Sequence, residues 1–568
     1  MELVNMALGW NETTDIFKVR NVWHDVEFYV TDNWRVTPRL TVDYGFRWSF
    51  LRNPYLSDDK YTVFNPAAFD PALGDAACNG LLYSSGLGAN PCPAGTGGVA
   101  GPNRALMNNN NHLIAPRLGI AWDPFGNGKW AIRAGVGQFF NRDRLWPLQI
   151  AGGNPPFNPA FTSINGNGRF LDNTNQLPAC APVLPTDKGC FGVGLGLPTI
   201  GQSTSDQMPN AWQWNLSVQH EVFKNAKLEV AYVGNKNNHW EQIADVNFVP
   251  SADRLAYVQQ ENTGTGPELS AFRPFGSLVG NNSITYYSHG SSSNYQSLQT
   301  FFNARVHNNT TFQASYTWSK LLADSQRLDT PAPNVDGQDR HAGYGPDILN
   351  HPHIFSASLV YELPTLQGSN GFVRGVLGGW EASTIVSASS GPSITPLFSV
   401  QGLGDPSGVG NGTATGRERP DRVPGQPCRA SGADSKTYLN PNMFTVNGFQ
   451  LGQIGNAGVG ICSGPPSRNV DMGLNKNFKL TERFRMQFRM EFFNLFNHPQ
   501  YVAQDVINNA SIAFNAPVFG DASGAQVPLT SATQILSASP GTSSTFGQAQ
   551  NVRQTGFRQI QYALKIFF

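Results

Sequence analysis

From Leu40 to Phe50 the chain alternates with a period of two. Leu40, Val42, Tyr44, Phe46, Trp48 and Phe50 are apolar, and Thr41, Asp43, Gly45, Arg47 and Ser49 between them are polar or small. Such a period describes a strand with two unlike faces. Eleven residues of it suit the ~9–11 that a tilted membrane strand needs, and exceed the ~5–6 usual in soluble sheets. The pattern returns in Trp212, Trp214, Leu216 and Val218, and in Leu228, Val230 and Tyr232. Leu298, Phe302 and Val306 share a face, and Phe312, Ala314, Tyr316 and Trp318 follow. It returns again in Phe484, Met486, Phe488, Met490 and Phe492, and last in Ile560, Tyr562, Leu564, Ile566 and Phe568. Alternation alone fits either a soluble sandwich, with its apolar face on a core, or a membrane barrel, with that face on lipid.

The connections separate the two. Tight turns are predicted at Val36–Pro38, Pro124–Gly128, Phe223–Ala226, His307–Asn309, Pro364–Gly371 and Leu480–Glu482. Between them run the long stretches 53–111, 142–210, 235–292, 322–350, 391–466 and 498–555, rich in Gly, Pro, Asn and Ser. Loops beyond about 15 residues are uncommon in compact soluble domains. Short and long connections in strict alternation describe an outer-membrane barrel, with turns in the periplasm and loops outside. The expectation is an all-β, antiparallel up-and-down transmembrane barrel. The pattern gives thirteen strands, an odd number, whereas closed bacterial barrels have even numbers. The first strand, near Trp23–Arg35, runs into a short turn, so Met1–Asn21 would start outside the cell. Either Met1–Arg20 hides another strand or the chain lacks upstream strands, and a fragment or a truncated reading frame is the favoured expectation. The opening MELVNMALGW also lacks the basic and apolar regions of a signal peptide.

Composition narrows the class further. Charged residues are 14% of the 568, against about 25% in a soluble domain. Lys+Arg and Asp+Glu both count 39, so the basic excess of a nucleic-acid binder is missing. No run of about 18 apolar residues exists for a helical span.

Candidate chemistry is sparse. The cysteines, Cys78, Cys92, Cys180, Cys190, Cys428 and Cys462, all fall in long stretches. One pair per loop, Cys78–Cys92, Cys180–Cys190 and Cys428–Cys462, is the economical disulfide pattern, and free thiols or a metal site are the alternatives. His351 and His353 lack a nearby third ligand. Gly192–Leu197 fails the dinucleotide pattern, and Asp405, Asp421 and Asp434 fail calcium-loop spacing. No catalytic constellation is visible, so an enzyme is not expected, nor a cofactor or metal. The lumen face would carry Asp43, Arg47, Arg133, Glu229, Arg305, Arg485, Arg489 and Glu491, either lining an anion-friendly path or pairing with one another. Trp146, Trp240 and Phe272 are loop aromatics that would either bind a ligand or pack loops together. Phe488 is expected to face lipid near mid-depth and Gln487 to face the lumen.

Several phrases resemble a known family. They are VEFYVTDNWRVTPRLTVDYGFRW (26–48), APRLGIAWDPFGNGKWAIRAGVGQFF (115–140), HIFSASLVYELP (353–364), LGGWEASTIVSASSGPSITP (377–396) and RFRMQFRMEFFNLFNHPQY (483–501). Together they resemble the barrel of TonB-dependent receptors, most closely the Oar-like branch of acidobacteria, over residues 22–568. The resemblance implies an expected 22-stranded barrel, of which about 13–14 strands are present. Residues 1–21 would precede the first recognisable strand and 22–568 would form the incomplete barrel. The plug, its TonB box and the carboxypeptidase-regulatory-like domain have no match here. The last strand, Ile560, Tyr562, Leu564, Ile566 and Phe568, resembles the C-terminal assembly signal of outer-membrane proteins. The implied partners are outer-membrane lipid, the barrel assembly machinery, the TonB complex through an upstream plug, and an extracellular ligand; no nucleic acid is expected. The implied function is loop capture of a large solute for energy-coupled passage across a Gram-negative outer membrane. A structural or adhesive barrel is the alternative.

Overall fold

The computed structural model describes residues 10–13, 20–142, 145–157, 160–163, 197–264, 267–306, 309–324, 340–409, 418–432 and 438–479. Beyond these it describes 481, 483–502, 506–507, 510–523, 525–528, 534–541, 545–549, 551–553 and 556–568.

Thirteen long strands pair in chain order. They are β1 (Asp25–Thr37), β2 (Leu40–Leu51), β3 (Leu113–Trp122), β4 (Trp130–Phe140), β5 (Asn210–Phe223), β6 (Ala226–Asp245) and β7 (Thr285–Val306). Then follow β8 (Thr310–Ala323), β9 (His353–Glu362), β10 (Trp380–Ser389), β11 (Ser467–Lys479), β12 (Arg485–Phe493) and β13 (Gln559–Phe567). Each is antiparallel to the next, so this is one all-β meander with every short turn at one end.

Register keeps the two faces unmixed across the sheet. Tyr44 pairs Leu118, which pairs Val136, which pairs Trp214. Tyr232 pairs Leu298, and Leu298 pairs Trp318. Leu564 pairs Phe488. One-residue slips would exchange the faces, so the apolar rows fix the register. The outward rows remain exposed, Phe28, Trp48 and Trp318 among them. Apolar surface this continuous is stable against hydrocarbon and costly against water.

The turns follow local chemistry. Between β5 and β6 the chain reverses at Lys224–Asn225, with Asn225 at φ 63°, a left-handed conformation that Asn tolerates. Between β3 and β4, Asp123 Oδ1 accepts from the Gly126 amide at 2.8 Å and Oδ2 from the Gly128 amide at 3.1 Å. Both glycines have positive φ.

Two expectations change. The stretch 235–292 is not all loop, because β6 continues to Asp245 and β7 starts at Thr285. There both faces are polar, as at Asn235, Asn237 and Asn294, so the apolar alternation stops while the ladder continues. Met1–Arg20 adds no barrel strand among the described residues; Trp10–Thr13 pairs with Ala160–Ser163 instead.

Beyond the sheet the long connections fold on cores of their own. The largest joins Val249, Tyr257, Phe398, Met443, Phe449, Phe514 and Leu536 from three separate loops. Phe398 sits at its centre, with ring centroids 5.3 Å from Phe449 and 6.0 Å from Phe514. Cys428 and Cys462 are disulfide-bonded beside it, and Cys78 and Cys92 are bonded within another core. Cys180 and Cys190 lie outside the described residues.

Among the described residues no ladder joins β1 to β13. All thirteen residues of β1 are exposed, and β13 is exposed throughout except at Ala563. Among the described residues the sheet is therefore open, with β1 and β13 as its two edges.

Candidate functional site

The inner wall is polar because its residues are the alternate members of strands whose other members face lipid. The expected lumen residues all fall on this face by register. Several are paired. Arg47 Nη1 is 3.3 Å from Glu27 Oε2, and Ser49 Oγ donates to Glu27 at 2.8 Å. Arg133 donates to Gln219 at 3.0 Å and Arg489 to Gln487 at 2.6 Å. Asn33 contacts Asp43. These contacts neutralise or satisfy the charges locally rather than forming a uniform field of one sign.

A cavity of about 1090 Å³ lies on this wall across β1–β7. Its floor is low because Gly45, Gly119, Gly135 and Gly137 take lumen positions on adjacent strands. A side chain at Gly135 would begin 2.7 Å from Asn215 Oδ1. The polar rim is formed by Asn33, Asp43, Arg117, Gln213, Asn215 and Asn235. Arg117 is held over the Phe139 ring, its guanidinium carbon 4.8 Å from the centroid. Amides with one acid and one base can hold a neutral or zwitterionic polar surface, whether of a solute or of protein filling the lumen. The glycine lane was legible only once the ladder register placed the four residues side by side.

The remaining candidates do not gather into a site. His351 Nδ1 is 2.6 Å from the Ser390 carbonyl, and His353 Nδ1 is 2.8 Å from the Tyr316 hydroxyl. Among the described residues no group of three His, Cys, Asp or Glu is placed to hold a metal. Phe272 packs at 6.0 Å on Tyr257 in the loop core, and Trp240 lies in the β6 extension opposite Ser291. Trp146 opens a short helix, Trp146–Ala151. Asp421 accepts the Asn456 amide at 2.9 Å. Asp434 and Gly192–Gly196 lie outside the described residues.

Sequence reasoning missed a buried carboxylate cluster in the loop head. Glu418 and Asp405 are both buried, and Ser407 Oγ lies 3.3 Å from Glu418 Oε1 and 3.1 Å from Asp405 Oδ1. Burial, then its hydrogen bond with Asp405, raises the Glu418 carboxyl well above the ordinary range. Glu261, in α1 (Arg254–Thr263), is pushed up to about 7 by burial and then by Asp405, with Arg273 opposing. In both groups burial disfavours the charged form, so the folded loops hold these protons to higher pH than an exposed carboxyl would. The sequence singles out Asp405 only as a residue that fails calcium-loop spacing and does not join it to Glu261 or Glu418, because the three acids come together only through loop folding.

A membrane-embedded antiparallel meander, with turns at one end and folded loops at the other, defines the class as a transmembrane β-barrel. The chain belongs to the outer membrane beta-barrel domain family, whose model matches residues 3–561, and its place is the outer membrane. No curated protein matches the chain. Solved structures similar to it include the outer membrane transporter YddB from Escherichia coli, at 10% identity over 91% of this chain and 44% of that one, with a TM-score of 0.40. The ferripyoverdine receptor of Pseudomonas aeruginosa, bound to ferripyoverdine, matches at 8% identity, covering 96% and 39%, with a TM-score of 0.40. The siderophore receptor PiuA from Acinetobacter baumannii matches at 9%, covering 96% and 44%, with a TM-score of 0.38. The chain spans less than half the length of these proteins.

Proposed function

We propose that this is the barrel portion of a TonB-dependent receptor, of the Oar-like acidobacterial type. Its folded loops capture a large extracellular solute for energy-coupled passage across the outer membrane. The observation that carries the reading is the pair of bare edges on β1 and β13. Backbone groups without partners do not persist in hydrocarbon, so each edge must meet the other or further strands, and the strand count favours further strands. Thirteen strands fall about nine short of the twenty-two that the sequence resemblance implies, and an odd shortfall restores an even barrel. Residues 22–568 then form an incomplete barrel domain, and the low trough across β1–β7 becomes a seat for a plug on the lumen wall. The last strand through Phe568 serves recognition by the barrel assembly machinery.

The test begins with the DNA upstream of Met1, followed by the full gene product. An in-frame plug with a TonB box, and capture of that product by the TonB periplasmic domain that is lost when the box is deleted, are expected. A closed barrel that ignores TonB and binds surfaces through its loops would replace this reading with the adhesive one.

A further inference from the structure

Six of the seven residues of α2 (Gly371–Leu377), in the turn between β9 and β10, are exposed, three of them large and apolar. Phe372 is 79% exposed, Val376 47% and Leu377 59%. Phe372 and Val376 are four apart and share a helix face. A short polar turn would need no such residues.

The attachment of α2 shows which side of the sheet it occupies. Asn370 caps its start, Oδ1 accepting from the Val373 amide at 2.8 Å. Its other end is tied to two outward-facing side chains. Trp380 Nε1 donates to the Val376 carbonyl at 2.9 Å. Lys476 Nζ donates to the Val376 carbonyl at 3.0 Å and the Gly378 carbonyl at 2.7 Å. Trp380 and Lys476 pair across β10 and β11, in the rows that continue as Ala382–Leu474 and Thr384–Met472 on the lipid side. The ammonium sits where the helix dipole is negative. It is also 5.4 Å from the Trp380 ring and 5.3 Å from the Phe478 ring, and is only 3% exposed. An unshielded lysine among outward aromatics would be costly, and here the carbonyls and rings satisfy it.

We propose that α2 is a membrane-interface anchor whose Phe372, Val376 and Leu377 enter the periplasmic leaflet of the outer membrane. The occupant is phospholipid, because the exposed face continues the lipid-facing belt at its periplasmic rim, the level at which aromatic girdles sit. Arg374 adds the cation that interfacial helices present to headgroups. The helix would fix the depth and tilt of the β9–β11 wall. The inference rests on the family's membrane placement and is independent of transport or TonB.

The experiment places a photoreactive benzoylphenylalanine at Phe372, or separately at Leu377, in the full chain made in cells. Phe355, on the outward row of β9, serves as the lipid reference, and Phe301, on the inner face of β7, as the lumen reference. After irradiation, mass spectrometry reads the adduct. Phospholipid adducts at Phe372 and Leu377, matching Phe355 and absent at Phe301, are expected. Protein adducts at these two sites while Phe355 gives lipid would assign α2 to a periplasmic partner and overturn the proposal. A lack of any adduct at Phe372 and Leu377 under the same condition would leave the helix in water and overturn it equally.

Discussion

Gln487 and Phe488 are neighbours in β12, yet Gln487 Nε2 donates to Asn477 Oδ1 across the lumen face at 3.0 Å while Phe488 meets Trp380 edge-on at 6.2 Å outside. Phe488 pairs with Lys476 beside the end of α2, so the placement proposed for that helix would set it nearer the periplasmic rim than the mid-depth expected from sequence, whereas Met490 pairs with Leu474 and Tyr562 further along the strands. An outward Arg costs about 2–4 kcal/mol at the bilayer midplane and about 0–1 kcal/mol near the interfaces. Met490→Arg should therefore destabilise most, Phe488→Arg less, and Gln487→Arg least. Unfolding free energies of the complete barrel in lipid give the order. If Gln487→Arg proved the worst, the two faces would be exchanged.

At the scale of elements, the loop head should respond to pH. Glu261 titrates near 7 in the folded loop against an ordinary value of 4.5, so the folded state holds its proton over that interval and the unfolded state does not. A raised carboxyl contributes stability that is full below about 4.5 and is lost as pH rises through about 7. Glu418, also raised, acts in the same direction. Protease resistance of the extracellular loops should therefore fall between pH 5 and pH 8, and Glu261→Gln should flatten the change; a rise with pH would contradict it. The Cys428–Cys462 bridge spans 34 residues and restrains the same head. Loop closure of that size is worth about 3–4 kcal/mol on the chain-entropy account. Replacing both cysteines by Ser should open the segment to proteases while the barrel strands stay protected. Non-reducing peptide maps should show Cys78–Cys92 and Cys428–Cys462, and cross-loop pairs would overturn this arrangement.

For the whole molecule, the bare edges decide behaviour. An unpaired strand edge invites pairing with any other chain. Amide exchange in Asp25–Thr37 and Gln559–Phe567 should be the fastest of the thirteen strands when the chain is folded alone in detergent. If the gene product supplies the upstream strands proposed above, those amides should slow in it to the level of β5 and β6. Equal protection in both forms would mean that β1 and β13 already have partners.

The alternation around Leu40–Phe50 and Phe484–Phe492, together with the order of short and long connections, determined the strand set, the two faces and the membrane class. These are local properties, since a strand's period and a turn's residues are written in consecutive positions. The head core around Phe398, the glycine lane and the acid cluster of Glu261, Asp405 and Glu418 belong to tertiary structure alone. Their members lie far apart in the chain, and only ladder register or loop packing brings them together. The β6–β7 extension was hidden for a related reason: above the membrane, ladder hydrogen bonds hold strands without an apolar face to mark them. Lys476 interrupts the outward apolar run of Val470, Met472, Leu474 and Phe478, and its carbonyl partners at the end of α2 came into view only when β10 and β11 were paired.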